Sequence, residues 1–362
     1  EIMVALIVAV AAAVSVYIFI YYNFLKGVKC KSDVSLNGRT VIVTGANTGI
    51  GKETALDMAR RGARVVLACR SKDRAEAAVL DIRRKTSNNQ VVFMHLDLAS
   101  LKSVRAFAET FLKSEPQLHI LINNAGKRCV KLGKTEDGFS MGVGVNHFGH
   151  FLLTNLLLER LKQCVPSRVV VLASETYRMV GLDFSKLSRT EPGHTNGFLD
   201  YAHSKLCNVL FARELSNRLE GTNVTCYSVH PGVVNTEVFR HLNRWLMLIL
   251  VPVAALLFRD PEGGAQTSIH CAVQEGIERF SGRYFSDCRV REVVAHARDD
   301  AVARKLWEFS ERMVGLSNKA IHPVMLLDSF LFVYKEEKSS RKIDGNRVIM
   351  QRFVSVKFSP LG

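Results

Sequence analysis

Apolar and polar positions along the chain fall into three regimes. Residues 2–22 read IMVALIVAVAAAVSVYIFIYY, an apolar run without a charge or a proline. Such a run is long enough to cross a bilayer as one helix. A signal peptide removed after translocation is the rival reading, but its apolar stretch is usually shorter and follows a basic start. Here only Glu1 precedes the run. A retained anchor is therefore the expectation for residues 1–22, with secretion after cleavage as the alternative. Lys26, Lys29 and Lys31 follow directly. The excess of positive residues on the cytoplasmic flank of membrane helices then puts the rest of the chain on the cytosolic side. The endoplasmic reticulum is the expected membrane. Residues 23–35 read as a basic juxtamembrane linker. Cys30 within it is open to palmitoylation but reads better as an inert linker thiol.

The second regime, residues 36–316, alternates short β-branched runs with amphipathic segments. The runs are Thr40–Thr44, Arg64–Cys69, Val91–Leu96, His119–Ile122, Arg168–Leu172 and Val224–Val229. Lys52–Arg60 and Lys102–Lys113 are amphipathic segments between them. Continuous apolar strands separated by helices predict a parallel sheet covered on both faces, a single doubly wound α/β domain of the Rossmann-like kind. Trp245–Phe258 is a second apolar run, with Pro252 inside it. It is short for a membrane span and suits a buried helix, an interfacial segment or a cover over an apolar pocket. In the third regime, residues 317–362, apolar and charged clusters lack sustained periodicity, which predicts a poorly ordered extension.

Composition narrows the classes. Of 362 residues, 48% are apolar and 23% charged, against wholesale disorder or a polytopic membrane protein. Lys and Arg exceed Asp and Glu by 15. That excess suits a nucleic acid, an anionic membrane or a phosphorylated ligand, and by itself does not choose. No zinc spacing, basic aromatic repeat or RNA-binding signature supports nucleic acid. The eight cysteines are scattered without a C-x-x-C pair, which speaks against a zinc ribbon, a thioredoxin-like motif or a dense disulfide framework. No metal site is expected. The sequon at Asn223 falls at a strand start and reads as chance.

Candidate chemistry begins after the first strand. Thr44-Gly45-Ala46-Asn47-Thr48-Gly49-Ile50-Gly51 leads into a predicted helix. Gly45 permits the tight turn, Gly49 lets backbone N–H groups approach a pyrophosphate, and Gly51 lets helix and sheet pack closely. The surrounding Asn47, Thr48 and Ile50 join the candidate phosphate-binding set. The second strand ends at Cys69-Arg70. An acid at that position bonds the ribose 2′-hydroxyl of NAD, whereas a base accommodates the 2′-phosphate of NADP. Arg70 points to NADP(H) over NAD(H), with Lys72 and Arg74 as helpers.

Tyr201 and Lys205 are i and i+4 on one predicted helix and share a face. A free phenol titrates near 10, and a neighbouring ammonium lowers that value. Tyr201 can then serve as general base or general acid.

In order and spacing, Thr44–Gly51, Asn123-Asn124-Ala125-Gly126, Tyr201-x-x-x-Lys205 and His230-Pro231-Gly232 resemble the short-chain dehydrogenases/reductases. TGANTGIGKETA, LINNAG, GVNHFGHFLL, YAHSKLCNVLF and SGRYFSDC resemble the retinol dehydrogenase branch. The resemblance spans about Leu36 to Leu316. It implies hydride transfer between a nicotinamide cofactor and a lipophilic alcohol or carbonyl, such as a retinoid, a steroid or a long-chain aldehyde. It implies that Tyr201 moves the proton, that Lys205 also holds the cofactor ribose, and that Ser174 hydrogen-bonds the reacting oxygen. Asn146 is the fourth member, which in the family holds a water linked to the lysine. The resemblance sets Asn124, Ala125 and Gly126 beside the ribose, and Asp97 and Leu98 by the adenine. For Asp97, capping of the next helix is nearly as good a reading. Pro231, Gly232, Val234 and Thr236 belong to the loop that meets nicotinamide. A non-catalytic binding protein with this fold, held at a membrane, is the alternative, although no member of the catalytic set is missing. A homo-oligomer is compatible with the sequence.

Overall fold

The computed structural model describes residues 27–127, 133–187 (the Lys186 side chain excepted), 197–234 and 258–317, with Met3, Ala12 and Val14–Tyr17 near the N-terminus. The apolar run at residues 2–22 otherwise lies outside the described residues, as do most of Trp245–Phe258 and all of residues 318–362. Among the described residues no helix is long and apolar enough to cross a membrane.

Among the described residues, eight strands form one sheet in the order β3-β2-β1-β4-β5-β6-β7-β8. They are β1 (Thr40–Thr44), β2 (Arg64–Cys69), β3 (Val91–His95), β4 (Ile120–Asn123), β5 (Ser167–Leu172), β6 (Val224–His230), β7 (Tyr284–Ser286) and β8 (Arg289–Arg291). All neighbours pair parallel except β7 with β8. The first six match the β-branched runs. The last two are three-residue strands, too short to leave a period in the sequence, and they extend the sheet beyond the expected six.

The β-branched runs are continuous because both faces are buried. Ile42, Val66, Val169 and Val171 belong to one apolar cluster, while Val41, Val43, Val65, Leu67 and Val170 belong to the other. Each such side chain contributes roughly 1.5–3 kcal/mol when fully buried. A one-residue slip would exchange the two sets, so the register is fixed.

One face carries α1 (Gly49–Arg60), α2 (Lys72–Thr86) and, later in the chain, Pro261–Val273. The other carries α3 (Leu101–Ser114), α4 (Gly149–Gln163), α5 (Gly197–Arg218) and the final helix Asp300–Met313. Pro261–Val273 is α6 and Asp300–Met313 is α7. Start signals agree with the sequence. Ser100 accepts from Ser103 N–H at 3.3 Å to cap α3. Asp260 accepts from Gly263 N–H at 2.7 Å ahead of Pro261, which opens α6 where a missing N–H costs nothing. Helix α5 is buried along most of its length, with Phe211 and Trp307 of α7 stacked beside Phe151 of α4. Strand order reverses between β1 and β4, so the carboxyl ends of those strands open the crevice where ligands bind in such sheets.

Candidate active site

The glycine turn begins where β1 ends. Gly45 and Gly49 take left-handed φ values of +65° and +57°. A Cβ on Gly45 would stand 3.0 Å from Ala125, and one on Gly51 would meet Gly45 O at 2.5 Å and the Asn124 amide. The turn is therefore packed directly onto the end of β4. Thr44 Oγ1 ties them together, accepting from the N–H groups of Asn124 and Ala125, each at 2.9 Å. Asn124 Nδ2 returns a bond to Thr44 O at 2.8 Å. Behind the turn, Thr48 precedes α1 without a side-chain cap, and no acid lies in the first turn of that helix. A helix start with neither a side-chain cap nor an acid in its first turn fits an anionic phosphate.

Across the crevice, α5 carries Tyr201 and Lys205. Lys205 is 2% exposed, and its Nζ donates to Leu172 O, the last carbonyl of β5, at 2.8 Å. Asn208 Nδ2, one turn on, donates to the same oxygen at 3.0 Å. Burial pulls the lysine down to about 7. Its Nζ lies 5.4 Å from the centre of the Tyr201 ring. The carbonyl accounts for one of three ammonium donors, which leaves capacity for the hydroxyls of a sugar.

Asn146 sits in a five-residue π turn, Gly144–Phe148, that leads into α4. Such turns interrupt helices frequently at functional positions. Its amide accepts from Lys127 N–H at 2.8 Å, and donates to Lys127 O at 3.2 Å and Ser204 Oγ at 2.9 Å. A Cβ on Gly126 would lie 3.6 Å from Lys205 Nζ and 3.8 Å from Asn146 Oδ1. The end of β4, the π turn and the lysine thus converge on one point.

Ser174 follows β5 and caps the short turn Glu175–Met179, its Oγ accepting from Thr176 N–H at 3.4 Å. Asp97 Oδ1 accepts from Ala99 N–H at 2.9 Å, and Oδ2 lies 4.0 Å from Arg70 Nη1. The helix-capping alternative for Asp97 is corrected: Ser100, three residues on, caps α3. Leu98 is buried with its carbonyl 2.7 Å from where a Cβ on Gly149 would stand, so it packs under α4. The Arg70 side chain stands 61% exposed at the end of β2. Pro231, Gly232 and Val234 follow β6, and Val234 pairs with Arg259 in a parallel bridge. Thr236 lies outside the described residues. No group of His, Cys, Asp or Glu suited to a metal occurs among the described residues.

Three positions join the site that the sequence did not single out. His150 is buried between Thr44 Oγ1 at 2.8 Å and Asn146 O at 3.0 Å. Asn146 O can only accept, so His150 Nδ1 carries the proton, and the Thr44 hydroxyl, which also lies 3.4 Å from Ile122 O, donates to the bare Nε2. The ring is neutral in that arrangement, and burial pushes its pKa down to about 4. Ser204 accepts from Asn146 and donates to Tyr201 O at 2.7 Å. Asp200, immediately before Tyr201, is buried and accepts from Ser140 Oγ and, at 2.8 Å, from Gly142 N–H. The i,i+4 spacing of Asn146 and His150 was the one signal available for these contacts.

Residues 39–247 match the family model for short chain dehydrogenases. The chain is 56% identical over 313 residues to dehydrogenase/reductase SDR family member 13 of Bos taurus, covering 86% of this chain and 82% of that one. It is 50% identical over 289 residues to human retinol dehydrogenase 11, covering 79% and 89%. Among solved structures, an uncharacterized protein from Mycobacterium paratuberculosis superposes with a TM-score of 0.64 at 32% identity, over 80% of this chain and 98% of that one. With the glycine turn, the Tyr201–Lys205 pair and the sheet order all in agreement, the chain belongs to the short-chain dehydrogenase/reductase family, as an oxidoreductase similar to retinol dehydrogenases.

Proposed function

We propose that the protein is an NADP(H)-dependent oxidoreductase that interconverts a lipophilic alcohol and its carbonyl, retinol and retinal being the leading pair. The observation that carries the reading is the buried Lys205, fixed by Leu172 O beside the Tyr201 ring. A bound nicotinamide dinucleotide supplies the hydride donor or acceptor. The chain supplies the proton path. In the reducing direction Tyr201 gives its hydroxyl proton to the carbonyl oxygen, and in the oxidising direction it takes the proton back. A positive Lys205 favours the phenolate, and a lysine titrating near 7 exchanges its own proton readily at neutral pH. Ser174 orients the reacting oxygen, and Asn146, held on three sides, keeps the lysine's surroundings fixed. Gly45, Gly49, Gly51, Asn124, Ala125 and Gly126 form the cradle for the dinucleotide.

Arg70 supports NADP(H). Its guanidinium is exposed at the end of β2, and its nearest carboxylate, Asp97, is 4.0 Å away. A planar cation in that position suits a 2′-phosphate. A lipophilic substrate is supported by the names of relatives such as human retinol dehydrogenases 11 and 12. The apolar run at residues 2–22 and the lysines behind it support a membrane anchor, with residues 36–316 as a cytosolic catalytic domain at the endoplasmic reticulum.

The test is purified full-length protein with all-trans-retinal and either NADPH or NADH. Retinol formation with a clear NADPH preference, reversed or abolished by Arg70→Asp, supports the reading. Absence of turnover across retinoid, steroid and long-chain aldehydes with both cofactors refutes it.

A further inference from the structure

The segment expected to be a simple basic linker is docked along α6. Leu36 N–H bonds Arg61 O at 2.8 Å, and Arg61 Nη1 bonds Val34 O at 3.1 Å. Ser32 Oγ lies 3.5 Å from Val273 O at the C-terminal end of α6. Cys30 N–H donates to Gln266 Oε1 at 2.9 Å near the middle, and Lys29 pairs with Glu262 at 3.4 Å near the start. Followed toward the N-terminus, this strap climbs the helix from its C-terminal to its N-terminal end. Gly27 then lies just beyond α6, against Arg259.

Arg259 has a glycine on each side. A Cβ on Gly27 would stand 3.0 Å from its Cζ, and a Cβ on Gly232 would strike its Cδ at 2.7 Å. Both glycines have left-handed φ values, +81° and +84°, so a side chain at either would be strained by conformation as well as short of space. The guanidinium is clamped to Asp287 at 2.6 Å, and its Nη1 lies 3.5 Å from Pro231 O. The Arg259 backbone N–H donates to Val233 O at 2.8 Å. One side chain thus joins the strap to the loop Pro231–Val234.

We propose that Arg259 is a positioning residue through which the N-terminal strap sets the Pro231–Val234 loop for dinucleotide binding. The inference rests on the reading above that this loop contacts the cofactor. It makes cofactor affinity depend on how the strap, which precedes the glycine turn in sequence, is seated. A planar guanidinium fits the slot between two glycines. An ammonium on a flexible stem keeps the charge for Asp287 but fills neither face.

The experiment measures NADPH affinity by ligand fluorescence on the full chain, with kcat and melting temperature in parallel. Variants are Gly27→Ala, Arg259→Lys, their combination, Gly232→Ala, and Lys29→Ala as a strap control with an exposed ion pair. Gly27→Ala and Arg259→Lys should each weaken NADPH about fivefold or more, while kcat at saturating NADPH changes less than about twofold. The combination should be no weaker than Arg259→Lys alone, because Gly27 acts through that side chain. Lys29→Ala should leave affinity unchanged. Additive losses in the double variant, or an unchanged affinity in Gly27→Ala while Gly232→Ala loses binding, overturn the coupling. Unchanged affinity in Gly232→Ala overturns instead the assignment of this loop to the cofactor. Gly27→Ala or Arg259→Lys lowering the melting temperature without moving NADPH affinity counts against the proposal.

Discussion

Replacing Lys205 with methionine should stabilise the cofactor-free protein while abolishing catalysis. Lys205 is buried, its one hydrogen bond among the described residues goes to Leu172 O, and burial lowers it from 10.5 to about 7. A tenfold change in a protonation equilibrium is about 1.4 kcal/mol. Holding the charged amine in the fold therefore costs about 4 kcal/mol at pH 7. The sign follows from linkage. Between pH 7 and 10.5 the unfolded chain binds more protons at this residue than the native state does, so the contribution of Lys205 to stability rises with pH across that window. Below pH 7 the cost is fully present, and above 10.5 it is gone. Methionine of similar length removes the cost but also removes one N–H···O=C bond, worth about 1 kcal/mol. Leu172 O keeps Asn208 Nδ2 at 3.0 Å and is not orphaned. The net expectation is a gain of about 3 kcal/mol for Lys205→Met at pH 7, shrinking to nothing or a slight loss near pH 10.5. Urea denaturation of both proteins at a series of pH values measures it, because other titrations cancel in the difference. A difference that is flat with pH, or a variant less stable than wild type at pH 7, refutes the reasoning.

Asp200→Ala should cost about 2–4 kcal/mol, since it strips partners from the buried Ser140 hydroxyl and Gly142 N–H, and should lower kcat by loosening the turn before Tyr201. Asp200→Asn, which keeps an acceptor for Gly142, should recover most of both in melting and turnover assays. Nitrogen-15 NMR of the imidazoles should find His150 as the Nδ1–H tautomer and neutral down to about pH 4; an Nε2–H tautomer or protonation near pH 6 contradicts the assigned network. Gly51→Ala drives a methyl into Gly45 O and the Asn124 amide, so it should destabilise by about 1–3 kcal/mol and remove the thermal stabilisation that NADPH gives to wild type.

The sheet was legible because its strands are apolar on both faces. Val41 and Val43 pack to one side and Ile42 to the other, and that double burial writes a continuous β-branched run into the sequence. β7 and β8 have three residues each and leave no comparable trace. The glycine turn was legible for a different reason. Gly45 needs a positive φ and Gly51 has no room for a Cβ, so both are constrained locally as well as by their neighbours. Helical spacing put Tyr201 and Lys205 on one face, but such a pair is common, and the motifs around it singled it out. The supports of the site were not. Asp200 reaches Gly142 across 58 residues and His150 reaches Thr44 across 106, and neither leaves a local pattern. Arg259 likewise carried no signal, because the glycines on either side of it are 232 and 27 residues removed in character as well as position: one closes a strap, the other opens a loop. The basic excess, open at first to nucleic acid, membrane or phosphate, includes Arg70 at the end of β2 and lysines in the docked strap.

Single-turnover hydride transfer tests the central claim most directly. Purified protein is mixed with NADPH deuterated at the transferable position and all-trans-retinal, beside Tyr201→Phe. The account predicts deuterated retinol from wild type, and retained NADPH binding with turnover lowered by several orders of magnitude in Tyr201→Phe. Equal turnover in the two proteins, or no label in any product, contradicts it.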